Sequence, residues 1–303
     1  MASIKKRRIG KETYFYLEHS YREKGRVEKK ERYLGKRLPG DLERVKKDFL
    51  YGINKERFFR EFDSIKEEYI KQKKKMPEVI SEEQNEIFMI RFTYDTNRIE
   101  GSRLTLRETS DLLEKGITPR EKSISDTREA EAHFRVFHLM CEYEKDLSLQ
   151  VILYWHKMLF RDTKPESAGR IRDYQVAISG SRFMPPSPPE VIPLLQEFFR
   201  WYQKSKKTLH PVEFAALAHL RFVTIHPFGD GNGRMSRLIM NFILNKYGFP
   251  MLNIPYEKRK GYYNALERAQ TTQKESIFVQ WFFRRFLKEQ GKLVGGKKQS
   301  MKK

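Results

Sequence analysis

The stretch HPFGDGNGRMSR, residues 226–237, decides the reading of this chain. An apolar segment of helical character, AALAHLRFVTI (215–225), runs into it, and a second one, RMSRLIMNFILNKY (234–247), runs out of it. The unit is therefore helix, glycine-rich loop, helix. Gly229, Gly231 and Gly233 let consecutive backbone N–H groups curl inward as an anion nest. The loop feeds a helix N-terminus, whose free N–H groups and dipole also favour anions. Arg234 and Arg237 lie three apart in the first turn of that helix, so both can face one phosphate chain. Asp230 is a hard oxygen ligand of the kind Mg²⁺ takes beside phosphates. His226, at the mouth of the loop, has the side chain suited to a general base near neutral pH. An isolated histidine or a run of glycines is usually structural. A base, a metal ligand, an anion cradle and two arginine clamps within twelve residues describe phosphoryl or nucleotidyl transfer.

Outward from the loop, the chain reads as mainly helical. Helices are expected near 105–115, 126–144, 148–160, 189–203, 211–225, 233–247, 259–270 and 275–289. Ser81 is placed to cap a helix running to about Ile99, with Gly101 to stop it. The segment 169–188 reads instead as a short exposed hairpin closed by prolines, with Val176, Ile178 and Phe183 around a Gly180-Ser181 turn. Residues 13–35 read as a second hairpin, turning at Glu23-Lys24-Gly25. Asp41 can cap the helix after it, and Gly52 and Asn54 are expected to interrupt that helix. Three regions follow. They are a hairpin-plus-helix extension over 1–75, a helical domain over 76–290, and a disordered basic tail over 291–303.

The composition narrows the function classes. The chain has 303 residues, 61 Lys and Arg against 40 Asp and Glu, and a formal net charge of +21. Residues 1–75 hold 24 basic and 13 acidic residues, and residues 284–303 hold 8 and 1, so the excess sits at the ends. Basic ends suit nucleic acid or another polyanion, but no nucleic-acid motif accompanies them. No apolar run is long enough to span a bilayer, so no membrane partner is expected. A single cysteine, Cys141, excludes a disulfide framework and a cysteine-based zinc site, and a cytoplasmic setting is the simplest reading. His156 and His219 sit among apolar neighbours and read as core, and His210 as a helix cap.

HPFGDGNGRMSR resembles the Fic (Fido) domain signature, His-x-Phe-x-Asp/Glu-Gly-Asn-Gly-Arg-x-x-Arg, with every specified position filled. The likeness runs over about residues 80–285. It includes TNRIEGSRLTLRET (96–109), AGRIRDYQV (168–176) with the following hairpin, and LHPVEFAALAHLRFVTIHPF (209–228). The resemblance implies a mainly α-helical fold with a short β-hairpin flap, and a Mg²⁺-dependent transfer of AMP from ATP to a Ser, Thr or Tyr of a target protein. His226 would be the base and Phe228 the anchor of the loop. Asp230 would hold the metal. Gly231, Asn232 and Gly233 would cradle the phosphates, and Arg234 and Arg237 would clamp them. Gly233 stands where relatives that phosphorylate carry a bulkier, basic residue. Val176, Ile178 and Phe183 would form the flap that docks the target. Tyr262 or Tyr263 is a candidate for the adenine pocket, and either can equally be core.

Thr96 and Glu100 share one helix face at i, i+4. Beside the loop, this spacing is similar to the family's inhibitory pattern Ser/Thr-x-x-x-Glu-Gly/Asn. The similarity implies that Glu100 pairs with Arg237 and withholds it from the γ-phosphate. The same residue leaves open AMP removal as well as AMP addition. The target, the oligomeric state and a nucleic-acid role for the basic ends also stay open.

Overall fold

In the computed structural model, which describes residues 2–23 and 26–293, the chain divides into two compact units, 1–64 and 65–303. The expected turn at Lys24-Gly25 and the tail from 294 onward lie outside the described residues.

The first unit opens with a three-stranded antiparallel sheet, β1 (Ser3–Ile9), β2 (Glu12–Glu23) and β3 (Arg26–Gly35), in that order. The hairpin expected over 13–35 is β2 and β3. Strand β1 was not expected, because its run of four cations (Lys5, Lys6, Arg7, Arg8) hides any apolar alternation. It is an exposed edge strand, where charge on both faces is tolerated. Helix α1 (Leu42–Asn54) follows, with Asp41 at its N-cap but making no side-chain cap bond. Gly52 and Asn54 do not interrupt it. The helix widens into one π-helical turn (Lys55–Phe59) and continues as α2 (Arg60–Lys75). An extra residue in the ladder keeps the chain helical while shifting its face, so Ile53, Phe58, Phe59 and Phe62 are all buried.

The second unit is helical. Its order is α3 (Glu78–Ile99), α4 (Leu106–Lys115), α5 (Ile124–Glu142), α6 (Leu149–Phe160), α7 (Pro188–Ser205), α8 (Pro211–Ile225), α9 (Asn232–Lys246), α10 (Arg259–Thr271) and α11 (Glu275–Gln290). Helix α3 starts three residues before the expected cap. Pro77 stands at its N-cap, and Ser81 N–H already bonds the Pro77 carbonyl at 3.0 Å. Elsewhere the caps explain the starts: Thr105 with Glu108 for α4, Ser148 for α6, and His210 Nδ1 accepting from Val212 N–H at 3.2 Å for α8.

Helices α8 and α9 are the centre of this unit. They pack on each other, and eleven residues of α8 and twelve of α9 are buried. Helices α3, α5, α7 and α11 pack around them. The loop that joins α8 to α9 is thus held by the two most buried helices of the unit, which suits a site needing fixed geometry.

The segment expected as a flap hairpin, 169–188, pairs no strands. The turn is present, with Ser181 N–H on the Ile178 carbonyl at 3.1 Å, but no ladder flanks it. Proline lacks the N–H a ladder needs, and side chains take the carbonyls instead. Gln175 Nε2 donates to the Val176 and Pro185 carbonyls, and Arg172 to those of Tyr174 and Pro186. Gly169, with φ +72°, lays the start of this segment directly on α6. A Cβ there would fall 2.9 Å from both the Leu153 carbonyl oxygen and Lys157 Cβ. Gly169→Ala should therefore destabilise the protein by about 2 kcal/mol or more, read from urea unfolding.

Candidate active site

The sequence 226–237 forms the junction of α8 and α9. Helix α8 ends at His226, which takes a left-handed backbone (φ 53°, ψ 56°) rare for a non-glycine residue. Three sets of contacts hold it. Phe228 is fully buried and stacks on the His156 ring, with centroids 3.7 Å apart. Asn232 closes the loop on itself, accepting from Phe228 N–H at 2.9 Å and donating to the Phe228 carbonyl at 2.8 Å. Arg172, buried, donates through Nε to the His226 carbonyl at 2.8 Å, and its own N–H bonds the Pro227 carbonyl at 3.0 Å.

His226 of the loop and His156 of α6, which packs on it, have assignable protons. His156 Nδ1 accepts from Gly169 N–H at 2.9 Å, so its proton sits on Nε2 and goes to the Asp230 carbonyl at 3.0 Å. Burial pushes its pKa down to about 4, against a smaller opposing pull from that carbonyl, so the ring is neutral. His226 Nδ1 lies 3.1 Å from the Val223 carbonyl, which can only accept. The proton is therefore on Nδ1, and Nε2 keeps its lone pair. Burial lowers the pKa of His226, with the Val223 bond opposing and Arg172 adding to the drop. Near pH 7 it is a neutral base with its acceptor nitrogen free.

Charged groups surround the α9 N-terminus. Burial raises the pKa of Asp230, but Arg234 and Lys164 outweigh it and bring the carboxyl to about 2. Lys164 Nζ bonds Asp230 Oδ2 and lies 3.3 Å from Glu129 Oε1. Arg234 reaches Asp230 Oδ1 at 3.3 Å, Asn97 Oδ1 at 3.4 Å and Glu129. Asp230 thus offers an ionised, accessible oxygen, and an ammonium group already lies against it. The place fits a cation, and Asp230 suits Mg²⁺ there. Among the described residues no three His, Cys, Asp or Glu gather into a metal cage. A metal on Asp230 would complete its shell with phosphate and water, as Mg²⁺ does.

Arg237, with 1% of its side chain exposed, lies deepest. Its Nε donates to Thr96 Oγ1 at 2.6 Å, and its Nη2 to Glu100 Oε1 at 2.6 Å and to the Thr96 carbonyl at 3.2 Å. Its Nη1 approaches Tyr262 at 3.4 Å, and the Tyr262 hydroxyl then donates to His219 Nε2 at 2.9 Å. Burial works against the guanidinium charge, and its partners, Glu100 first and then Tyr262, together more than restore it. Gly233 makes the contact possible. A Cβ there would lie 2.3 Å from Glu100 Oε1 and 3.0 Å from Arg237 Nη1.

The structure therefore gathers Thr96, Glu100, His226, Phe228, Asp230, Gly231, Asn232, Gly233, Arg234, Arg237 and Tyr262 around one loop. Tyr262 is buried beneath Arg237 and supports the arginine rather than facing open space. Tyr263 is 44% exposed, and its hydroxyl donates to the Ile99 carbonyl at 3.0 Å, next to Glu100. Val176, Ile178 and Phe183 are half-buried on the irregular segment. A cavity of about 400 Å³ lies against the end of α8, lined by Leu194, Leu220, Thr224, Ile225 and Gln270. Lys164, Glu129, Arg172 and Asn97 escaped the sequence reading. Each reaches the loop from a distant segment, and no local spacing marks it.

Residues 146–244 match the Fic/DOC family. Among curated relatives, protein adenylyltransferase fic-1 of Caenorhabditis elegans is 38% identical over 184 residues, which are 59% of this chain and 36% of that protein. Protein adenylyltransferase Fic of Drosophila melanogaster is 37% identical over 180 residues, 58% of this chain and 36% of that protein. The chain thus spans about a third of the length of these relatives. Among solved structures, a Fic-1 fragment from C. elegans aligns with TM-score 0.69 and 29% identity, over 85% of this chain and 77% of that one. A Fic-domain-containing signalling protein from Bacteroides thetaiotaomicron aligns with TM-score 0.69 and 26% identity, over 79% and 98%.

The buried histidines should make the fold acid-sensitive. Desolvation holds His133 and His219 well below the ordinary histidine range and His156 at about 4, so all three are neutral when folded. Below about pH 6.5 the unfolded chain takes up protons that the native state refuses, so stability falls with pH. The His156 share alone is about 3 kcal/mol, present above about pH 6.5 and lost progressively toward pH 4. Melting temperature should fall across that window, and His156→Gln should flatten part of the fall.

Proposed function

We propose that this chain, which carries a Fic/DOC-family domain, is a Mg²⁺-dependent protein adenylyltransferase held in an inhibited state by Glu100. The observation that carries the reading is the neutral His226, its Nε2 unshared, fixed at the head of a loop whose glycines and arginines can take a phosphate chain. In the proposed reaction, Nε2 takes the proton of a target hydroxyl. The hydroxyl oxygen bonds to the α-phosphorus of ATP, and the bond from that phosphorus to the α–β bridging oxygen breaks. Pyrophosphate leaves with the electron pair. The N–H groups of Asn232, Gly233 and Arg234, which have no i−4 partner in α9, face developing charge at no cost in reorganisation. Asp230 would hold Mg²⁺, whose charge offsets that of the phosphates. Lys164 must then leave Oδ2.

The Glu100–Arg237 pair supports the inhibited state. Arg237 spends its donors on Thr96, Glu100 and Tyr262, so a γ-phosphate must first displace the carboxylate. A largely buried carboxylate–arginine pair couples by several kcal/mol, which converts to orders of magnitude in occupancy.

ATP labelled at the α-phosphate tests both points. Glu100→Gly should raise protein labelling at least about tenfold over the parent. Adding His226→Ala should lower it about 10²- to 10⁴-fold, the range for losing a general base. ATP labelled at the γ-phosphate should leave no label. Equal labelling of parent and Glu100→Gly would remove the inhibitory role, and γ-label on protein would replace adenylylation with phosphorylation.

A further inference from the structure

The N-terminal sheet takes no part in that reaction, yet it is the most basic part of the described chain. Residues 1–40 carry 13 Lys and Arg against 5 Glu. The strand register sorts the side chains onto two faces. One face carries Leu17, Tyr21 and Lys30 and is covered within its own unit. There, Arg57 stacks 3.8 Å over the Tyr21 ring, and Glu56 lies 3.0 Å from Lys30.

The opposite face brings Tyr14, Tyr16 and Tyr33 together. Tyr33 sits between the other two, with ring centroids 6.3 Å from Tyr14 and 5.2 Å from Tyr16. Tyr33 is 53% exposed. Arg7 lies 4.5 Å over Tyr16, and Lys36 lies 5.8 Å from Tyr14. The carboxylates at this face are already matched: Glu31 with Arg7, Glu18 with Lys29, and Glu12 with Lys36. The remaining charge is positive. Lys5, opposite Tyr16, and Arg22, on the same side of β2, are exposed and form no ion pair among the described residues, and the same holds for Lys11 in the β1–β2 turn; Lys6, Arg8 and Arg32, opposite Phe15, Thr13 and Leu17, lie on the other face.

Charge that merely protects a sheet edge needs no aromatic platform beside it. Cations around exposed rings are the pattern that holds a single strand of nucleic acid, whose bases stack while its phosphates are neutralised. A duplex keeps its bases stacked on each other and can use only the cations. We propose that the open face of this sheet binds single-stranded nucleic acid, with bases on Tyr33 and Tyr14 and phosphates on the surrounding lysines and arginines. The proposal is independent of the reaction at His226.

The test uses the full chain and fluorescein-labelled oligonucleotides of about 20 nucleotides, as single-stranded DNA, single-stranded RNA and the duplex of the same sequence. Anisotropy is followed from roughly 50 to 300 mM KCl, with heparin as a competing polyanion. Single strands should bind more tightly than duplex, and log K should fall against log salt with a slope of about −3, as for four phosphates. Tyr33→Leu with Tyr14→Leu should weaken single-strand binding at least about tenfold while leaving the slope. Replacing Lys5, Lys11 and Arg22 by Ser should reduce the slope by about 2. Circular dichroism checks that the variants stay folded, and the parent's strand preference and slope need no variant. No binding at low salt overturns the proposal. So does duplex or heparin binding as tight as single-strand binding and indifferent to the tyrosines.

Discussion

Arg237 is the residue around which the helical unit is arranged. A guanidinium with 1% of its side chain exposed cannot be left without partners, because an unpaired buried charge costs several kcal/mol. The partners come from three elements: Thr96 and Glu100 at the end of α3, Tyr262 from α10, and behind it His219 from α8. Their meeting point fixes how those helices approach α9. A side chain at 233 would push the Glu100 carboxylate out of its present place beside Arg237. A structural requirement of the core and a candidate regulatory contact are therefore the same set of bonds.

The loop ahead of Arg237 is braced from outside. His156 stacks on Phe228 and bonds the Asp230 carbonyl, while Arg172 holds the His226 and Pro227 carbonyls. His226 pays for its left-handed backbone with these contacts. In return its ring is held with one nitrogen committed to Val223 and the other free. Arg172 also bonds the Tyr174 and Pro186 carbonyls, so the position of the irregular segment and that of the histidine are set by one side chain.

The loop was legible in the sequence because its chemistry is contiguous: twelve residues carry the base, the cradle and the arginines. The helices were legible for a similar reason, since apolar spacing and caps are local signals. Three features were not. Strand β1 is exposed and cationic, so it has no apolar face to read. The alternation at Val176 and Ile178 suggested a ladder, but Arg172 takes the Tyr174 and Pro186 carbonyls, Gln175 takes those of Val176 and Pro185, and the prolines cannot donate. Lys164, Glu129 and Arg172 are ordinary charged residues in sequence. Only the fold shows that they surround Asp230 and His226.

Their arrangement sets what a ligand must do. Lys164, Arg234 and Arg237 face Asp230, Glu129 and Glu100, so three cations are matched by three carboxylates. The side-chain charges of the cluster are balanced, so in the proposed reaction an entering triphosphate would find only the free N–H groups at the start of α9 to meet its charge. A divalent cation at Asp230 offsets part of that charge. In the proposed reaction the remainder would favour withdrawal of one carboxylate from its cation. Glu129 is tied to two cations at once, and Asp230 is the expected metal ligand. Glu100 has a single cationic partner and stands at the C-cap of α3, where the helix dipole already disfavours a negative group. Within the proposed reaction, electrostatics favours Glu100 as the group that yields, and its departure from Arg237 would be the step that admits the phosphate.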